Sequence, residues 1–99
     1  MSYKELNGMY VDTDGTKRWY KDDMIHRDGA PAVEWTDGTK LWYNKGRRHR
    51  LDGPAYVSDE ALGWYVNGKH CTSNKQFQEL SGLSTDDMVM LVMRWGDIG

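Results

Sequence analysis

The sequence predicts a mainly β protein: an antiparallel sheet of successive repeat hairpins, with one or two short C-terminal α-helices capping it. Three observations carry this expectation. A Trp-Tyr pair recurs at Trp19-Tyr20, Trp42-Tyr43 and Trp64-Tyr65, at offsets of 23 and then 22 residues. Asp-Gly and Asn-Gly dipeptides, which turn tight corners between strands, fall at fixed places around those pairs. After Ser73 the pattern changes to helix caps followed by apolar residues at helical spacing.

Other residues keep step with the aromatic pair. Asp14-Gly15-Thr16-Lys17 returns as Asp37-Gly38-Thr39-Lys40, His26-Arg27 as His49-Arg50, and Pro31-Ala32 as Pro54-Ala55. A turn-like triplet follows each pair: Lys21-Asp22-Asp23, Asn44-Lys45-Gly46 and Val66-Asn67-Gly68. Thr, Val, Trp and Tyr around such turns suit strands, so each unit reads as two short strands. Asp14-Gly15 and Asp37-Gly38 turn one corner, and Asn67-Gly68 turns its counterpart elsewhere. Proline has no N–H for a ladder, which puts Pro31 and Pro54 at strand starts or on a kinked edge.

Side chains alternate across a strand. Trp19, Trp42 and Trp64 therefore share one face and form an aromatic row. Tyr20, Tyr43 and Tyr65 share the other face with Arg18, Leu41 and Gly63. The Trp row is the expected core, repeated because each unit must bury the same face.

The tail reads as helix. Ser73 with Gln76 fits a capping box, Phe77 and Leu80 follow at helical spacing, and Gly82 can end that helix. Ser84 opens a second, with Asp86 and Asp87 where the helix dipole favours carboxylates. Met88, Leu91, Val92 and Trp95 form one stripe, yet Val89, Met90 and Met93 are apolar too. A strand over Met88–Trp95 stays open, because short apolar runs are ambiguous. The chain is expected to be one domain over 1–99, with repeats over 7–72 and a helical cap over 73–99.

The run Trp42-Tyr43, Gly46, His49-Arg50, Asp52-Gly53-Pro54-Ala55 resembles the short W-Y-x-N-G-K-x-H-R-x-D-G-P-A repeats of uncharacterised phage and large-DNA-virus proteins. It is similar, more distantly, to MORN-type repeats of bacterial antitoxin-like proteins. The resemblance covers roughly residues 7–72 and matches again at His26-Arg27, Asp28-Gly29 and Pro31-Ala32. It implies hairpins in an elongated, twisted antiparallel sheet that serves as a generic binding surface, and it implies a viral origin. The third unit departs: Cys71 and Thr72 stand at the His and Arg positions, and no Asp-Gly-Pro-Ala follows. The first unit has Asp22-Asp23 where Asn-Gly is usual. Terminal units of a stack are expected to be atypical because they cap it.

Composition narrows the function. The 99 residues are 38% hydrophobic and 28% charged, with five Trp, six Tyr and one Phe. A net charge of -2 and a pI near 5.8 oppose general polyanion binding. The single cysteine, Cys71, suits a reducing compartment. MSYKELNGMY holds no apolar signal core, and MVMLVM is too short to span a bilayer. The expectation is a cytoplasmic protein (the host's cytoplasm, if viral) that engages no membrane.

His26 and His49, each beside Arg and near Asp28 or Asp52, invite a catalytic or metal story. Metal sites usually need three or four convergent ligands, and here the same pair repeats instead of such a set assembling. The plainer reading is that His and Arg brace neighbouring turns through hydrogen bonds to backbone or to Asp28 and Asp52. Cys71, near Lys69 and His70, reads as an ordinary half-buried thiol. No phosphate loop, zinc spacing or nucleophile elbow is present. The expectation is no enzyme, no cofactor and no metal.

What one short tail cannot cover becomes contact surface: Tyr20, Tyr43 and Tyr65 on one sheet face, Arg47 and Arg48 beside them, and Met90 and Met93 on the tail. Tyr and Met are favoured where proteins grip proteins. The reading is a non-catalytic protein-binding module, such as a phage inhibitor that blocks a bacterial host or defence protein. Two alternatives stand beside it. One is single-stranded nucleic-acid binding through Arg47-Arg48-His49-Arg50. The other is a structural homo-oligomeric viral component whose partner is its own copy.

Overall fold

Each Trp-Tyr strand is the shared arm of two hairpins, and this is how so short a repeat closes. The computed structural model describes residues 5–99, so the leader-free reading of the first ten residues falls partly outside the described chain. The first unit contributes β1 (Gly8–Val11), β2 (Lys17–Lys21) and β3 (Met24–Ile25). The second contributes β4 (Val33–Glu34), β5 (Lys40–Leu41), β6 (Tyr43–Asn44) and β7 (Arg47–Arg48). The third contributes β8 (Tyr56–Val57), β9 (Leu62–Val66) and β10 (Lys69–Cys71). Pairing is antiparallel throughout, in the order β1-β2-β4-β5-β8-β9-β10, with β3 on β2 and β6 pairing β7.

Each unit therefore builds three strand arms instead of the two expected. Before its Trp, the central arm pairs with the strand ahead of the Asp-Gly corner, as in Val11↔Lys17 and Glu34↔Lys40. After its Trp, it pairs with the strand beyond the tip, as in Lys21↔Met24, Asn44↔Arg47 and Val66↔Lys69. Units join laterally by Arg18↔Val33 and Leu41↔Tyr56. Trp19 N–H donates to Ala32 O at 2.9 Å and Trp42 N–H to Ala55 O at 2.8 Å, so these indoles occupy equivalent places. Trp64 pairs in register with Cys71, as Trp19 O accepts from His26 N–H and Trp42 O from His49 N–H.

The two kinds of turn have different chemistry. At the corners, Asp14 Oδ1 accepts from Thr16 N–H at 3.0 Å and Asp37 Oδ1 from Thr39 N–H at 2.9 Å. Those bonds hold both carboxyls below their ordinary value. At the tips the backbone enters the left-handed region at Asp22-Asp23, Lys45-Gly46 and Asn67-Gly68, with φ from 47° to 84°. Two consecutive left-handed residues are the signature of a hairpin turn that follows the twist of its strands. Gly46 and Gly68 take the second place without strain. Asp23 takes it at φ 67°, an uncommon conformation for a side chain.

The tail is two helices, which resolves the Met88–Trp95 ambiguity. α1 (Asn74–Ser81) is capped by Ser73, whose side chain accepts from Gln76 N–H. Gln76 Oε1 accepts from Thr72 N–H, one residue outside the expected capping box. α1 ends at Gly82, left-handed at φ 74°. α2 (Thr85–Trp95) is capped by Ser84, with Asp86 and Asp87 in the first turn and Arg94 in the last. These charges match the helix dipole at both ends.

The helices stand where a fourth unit would lie. Phe77 of α1 is fully buried and packs edge-on against Trp64, centroids 4.9 Å apart at 75°. Val66, Cys71, Met88 and Ile98 complete this core, with Leu83, Leu91 and Trp95 around it. Asn74 ties the tail down, accepting from Ile98 N–H at 2.8 Å and donating to Asp97 Oδ1 at 2.9 Å. Along the sheet, Val33 and Leu41 are buried on the face assigned to tyrosine, which is therefore partly core, and Ala32 and Ala55 are buried opposite Trp19 and Trp42. The ribbon measures 51 × 27 × 18 Å, and its radius of gyration of 14.9 Å exceeds the ~13 Å of a compact domain this size. No helix among the described residues is long and apolar enough to cross a membrane.

Candidate binding surfaces

The repeated histidines clamp one unit to the next. In a two-residue left-handed turn the two central N–H groups point away from the hairpin and need outside acceptors. At the second tip, Lys45 N–H donates to His26 Nδ1 at 2.9 Å and Gly46 N–H to Ile25 O at 2.8 Å. At the third, Asn67 N–H donates to His49 Nδ1 at 2.9 Å and Gly68 N–H to Arg48 O at 2.7 Å. At the first, Asp22 N–H donates to Asn7 Oδ1 at 3.0 Å and Asp23 N–H to Leu6 O at 3.1 Å. Asn7 thus does for the first unit what His26 and His49 do for the others. Cys71 replaces histidine in the third unit because no further tip needs an acceptor.

The arginines brace the same joints. Arg27 lies over the Trp19 ring, 4.0 Å from its centroid, and Arg50 lies over Trp42 at 3.9 Å. Each donates to the proline carbonyl four residues on, Arg27 to Pro31 O at 3.2 Å and Arg50 to Pro54 O at 3.0 Å. Trp19 and Trp42 are therefore half-buried beneath guanidinium groups, whereas Trp64 is buried beneath Phe77. Such stacking contributes roughly 0.5–2 kcal/mol per pair, depending on desolvation.

The two units differ in their carboxylates. Asp28 Oδ1 lies 3.0 Å from His26 Nε2. Leu51 stands at the corresponding place in the second unit, and Asp52, one residue on, accepts from Arg50 Nε at 2.8 Å.

Of the residues singled out for contact, Tyr43, Arg48 and Tyr65 come together. Arg48 Nε donates to Tyr43 Oη at 3.2 Å and its Nη1 to Tyr65 Oη at 3.3 Å. The Tyr43 bond is the main reason the Arg48 guanidinium is held above its ordinary value. Tyr65 also stacks on His70, centroids 4.8 Å apart, and Tyr20 meets Tyr10 edge-on at 5.6 Å. All three tyrosines are half-buried, while Arg47 is exposed at the second tip.

Met90 and Met93 lie apart from this group, on α2. Met88 is buried and Leu91, Val92 and Trp95 are half-buried, but Val89, Met90 and Met93 are 50%, 68% and 79% exposed. Leu51 and Leu83 flank the helix beside Met90, and Gln78 and Asn74 flank it beside Met93.

Burial pushes the Cys71 thiol up, against the weaker pull of Lys69, so it stays protonated and inert. Among the described residues no group of three His, Cys, Asp or Glu side chains could hold a metal ion. Sequence reasoning missed Asn7, whose role shows only once the first tip is folded over it. It also missed Leu51, which a residue-by-residue alignment of the two units reveals. Set against protein-family models, curated proteins and solved structures, the chain matches none.

Proposed function

We propose that this chain is a non-catalytic protein-binding module whose principal contact is the outer face of α2. The carrying observation is the exposure of Val89, Met90 and Met93 on a helix whose other side is already packed. Burying one such side chain contributes roughly 1.5–3 kcal/mol, so three neighbours form an energetically useful centre. Methionine adapts to irregular partner surfaces, which suits a contact of this kind. The partner is a protein, either a host target or a second copy, and an inhibitor that occupies a host enzyme or defence factor is the role we favour. A reducing cytoplasm is the setting this reading assumes, with Cys71 free.

What weighs against single-stranded nucleic acid is the state of the arginines. Arg48 is engaged by two tyrosine hydroxyls, and Arg50 by Trp42 and Asp52, which leaves Arg47 as the exposed member of the run. The test compares wild type with Met90→Glu and Met93→Glu in partner recovery from host lysate and in light scattering of the pure protein. Loss of one captured protein, or of a wild-type dimer, with an unchanged circular dichroism spectrum supports the reading. Equal recovery and equal mass in all three proteins overturn it, and binding that falls steeply with salt transfers the function to nucleic acid.

A further inference from the structure

Each of the first two units has two donors and one carboxylate, and the donors left over belong to the same hollow. In the first unit Asp28 goes to His26 Nε2, and Arg27 has no carboxylate partner among the described residues. In the second, Asp52 goes to Arg50, and His49 Nε2 has no partner among the described residues. Asn67 N–H donates to His49 Nδ1, so in the neutral ring Nε2 carries the hydrogen and is a donor. Burial holds this imidazole below its ordinary value, which favours that neutral form. Arg27 and His49 both line a hollow of about 370 Å³ between the units, together with Trp42, Tyr43 and Leu51.

We propose that this hollow binds a carboxylate, which accepts from His49 Nε2–H and from the Arg27 guanidinium. It replaces the acceptor that Asp28 supplies to His26 and that Leu51 cannot supply to His49. Asp28 and Asp52 also line the hollow, but their side chains are 82% and 86% exposed and already paired. Their charge disfavours polyanions more than a single carboxylate, whose uncharged remainder rests against Trp42, Tyr43 and Leu51. The ligand is an acidic side chain of a protein or a small free acid. The hollow adjoins the groove beside Met90 through Leu51 and Asp52, but the inference does not rest on the α2 contact.

The experiment titrates the ¹⁵N-labelled full chain with acetate and, separately, with a short acetylated and amidated peptide carrying one Asp. Imidazole and guanidinium nitrogens are followed. The expected result is joint, saturable movement of the His49 Nε2 and Arg27 Nε signals, with His26 and His70 still. Tighter binding of the peptide than of acetate assigns the site to an acidic side chain, and the reverse to a free acid. Leu51→Asp, at an exposed position, supplies the missing carboxylate internally and is expected to abolish the response. Arg27→Gln is expected to weaken binding about tenfold or more, the worth of one charge-assisted bond. Unmoved His49 and Arg27 signals with both probes overturn the proposal, as does an unchanged response in both variants.

Discussion

Replacing His26 with alanine tests the clamp most directly. The ring is 8% exposed and accepts from Lys45 N–H, so its removal leaves that amide without an acceptor at a part-buried joint. An unsatisfied buried donor costs about 1–3 kcal/mol. The lost bond to Asp28 adds little, because that carboxylate is mostly solvated. With the packing lost beneath the ring, the total is about 2–4 kcal/mol, against a whole stability of roughly 5–15 kcal/mol for such a domain. At ~4–8 °C per kcal/mol the melting point falls by at least about 8 °C. His49 makes the same backbone bond from a half-buried position and has no carboxylate, so His49→Ala should cost roughly 1 kcal/mol. His26→Asn should recover part of the loss, since Asn7 already serves the first tip. Urea unfolding gives the costs, and hydrogen exchange at the Lys45 amide localises them. A cost for His26→Ala below about 1 kcal/mol, or a Lys45 amide that keeps its protection, refutes the clamp.

Phe77→Ala should cost about 3–5 kcal/mol, because a fully buried ring against Trp64 is removed from the cap. Since each unit touches only its neighbours, exchange should rise first in β9, β10 and the helices, with β1–β3 keeping their protection. Uniform loss along the ribbon would contradict that picture. His49 makes stability depend on pH: its folded value is lowered, so the unfolded chain takes up the proton first as pH falls below ~6.5. Its contribution is whole above that value and is lost below it. Urea midpoints of wild type and His49→Gln should therefore converge on acidification from neutral to about pH 5. A gap that widens would reverse the sign. The lowered Asp14 and Asp37 act in the same direction in the more acidic carboxylate range.

The periodic part of the fold was legible because its signals are local. Asp-Gly and Asn-Gly name their turns, and Ser73, Gly82 and Ser84 name the ends of their helices, so the hairpins and the cap follow from neighbours in sequence. That His26 and His49 brace neighbouring turns through backbone bonds was legible, but their partners were not, because the bond joins His26 to an amide 19 residues away and depends on how a left-handed turn aims its N–H groups. Nor was the change of strand partner at the Trp, which divides only the second unit's central arm, into β5 and β6. That depends on Trp19 and Trp42 donating to Ala32 and Ala55 on one side while their carbonyls serve His26 and His49 on the other. The tyrosine face was misjudged in degree: alternation places Tyr43 and Tyr65 correctly, but it cannot show that Arg48 reaches across to both hydroxyls.

The ends of the ribbon explain why its units are unequal. Every tip draws two acceptors from the unit before it, so the first tip needs a predecessor, and Leu6-Asn7 is the smallest segment that supplies both. Each histidine serves the tip of the unit after it, whereas each arginine covers the Trp of its own unit, so the last unit does without the histidine but still needs a cover for its Trp. Its Trp64 lacks a guanidinium cover and takes Phe77 instead, and Cys71 sits buried in the space beside them. A helix brought in to cover Trp64 must itself be covered, which α2 does with Met88, Leu91 and Trp95. That chain of cover stops at Val89, Met90 and Met93, where no described element remains to continue it. The α2 face is thus the place where the packing demand of an interrupted repeat reaches the surface. A partner there would meet the need that a fourth unit meets inside a longer array.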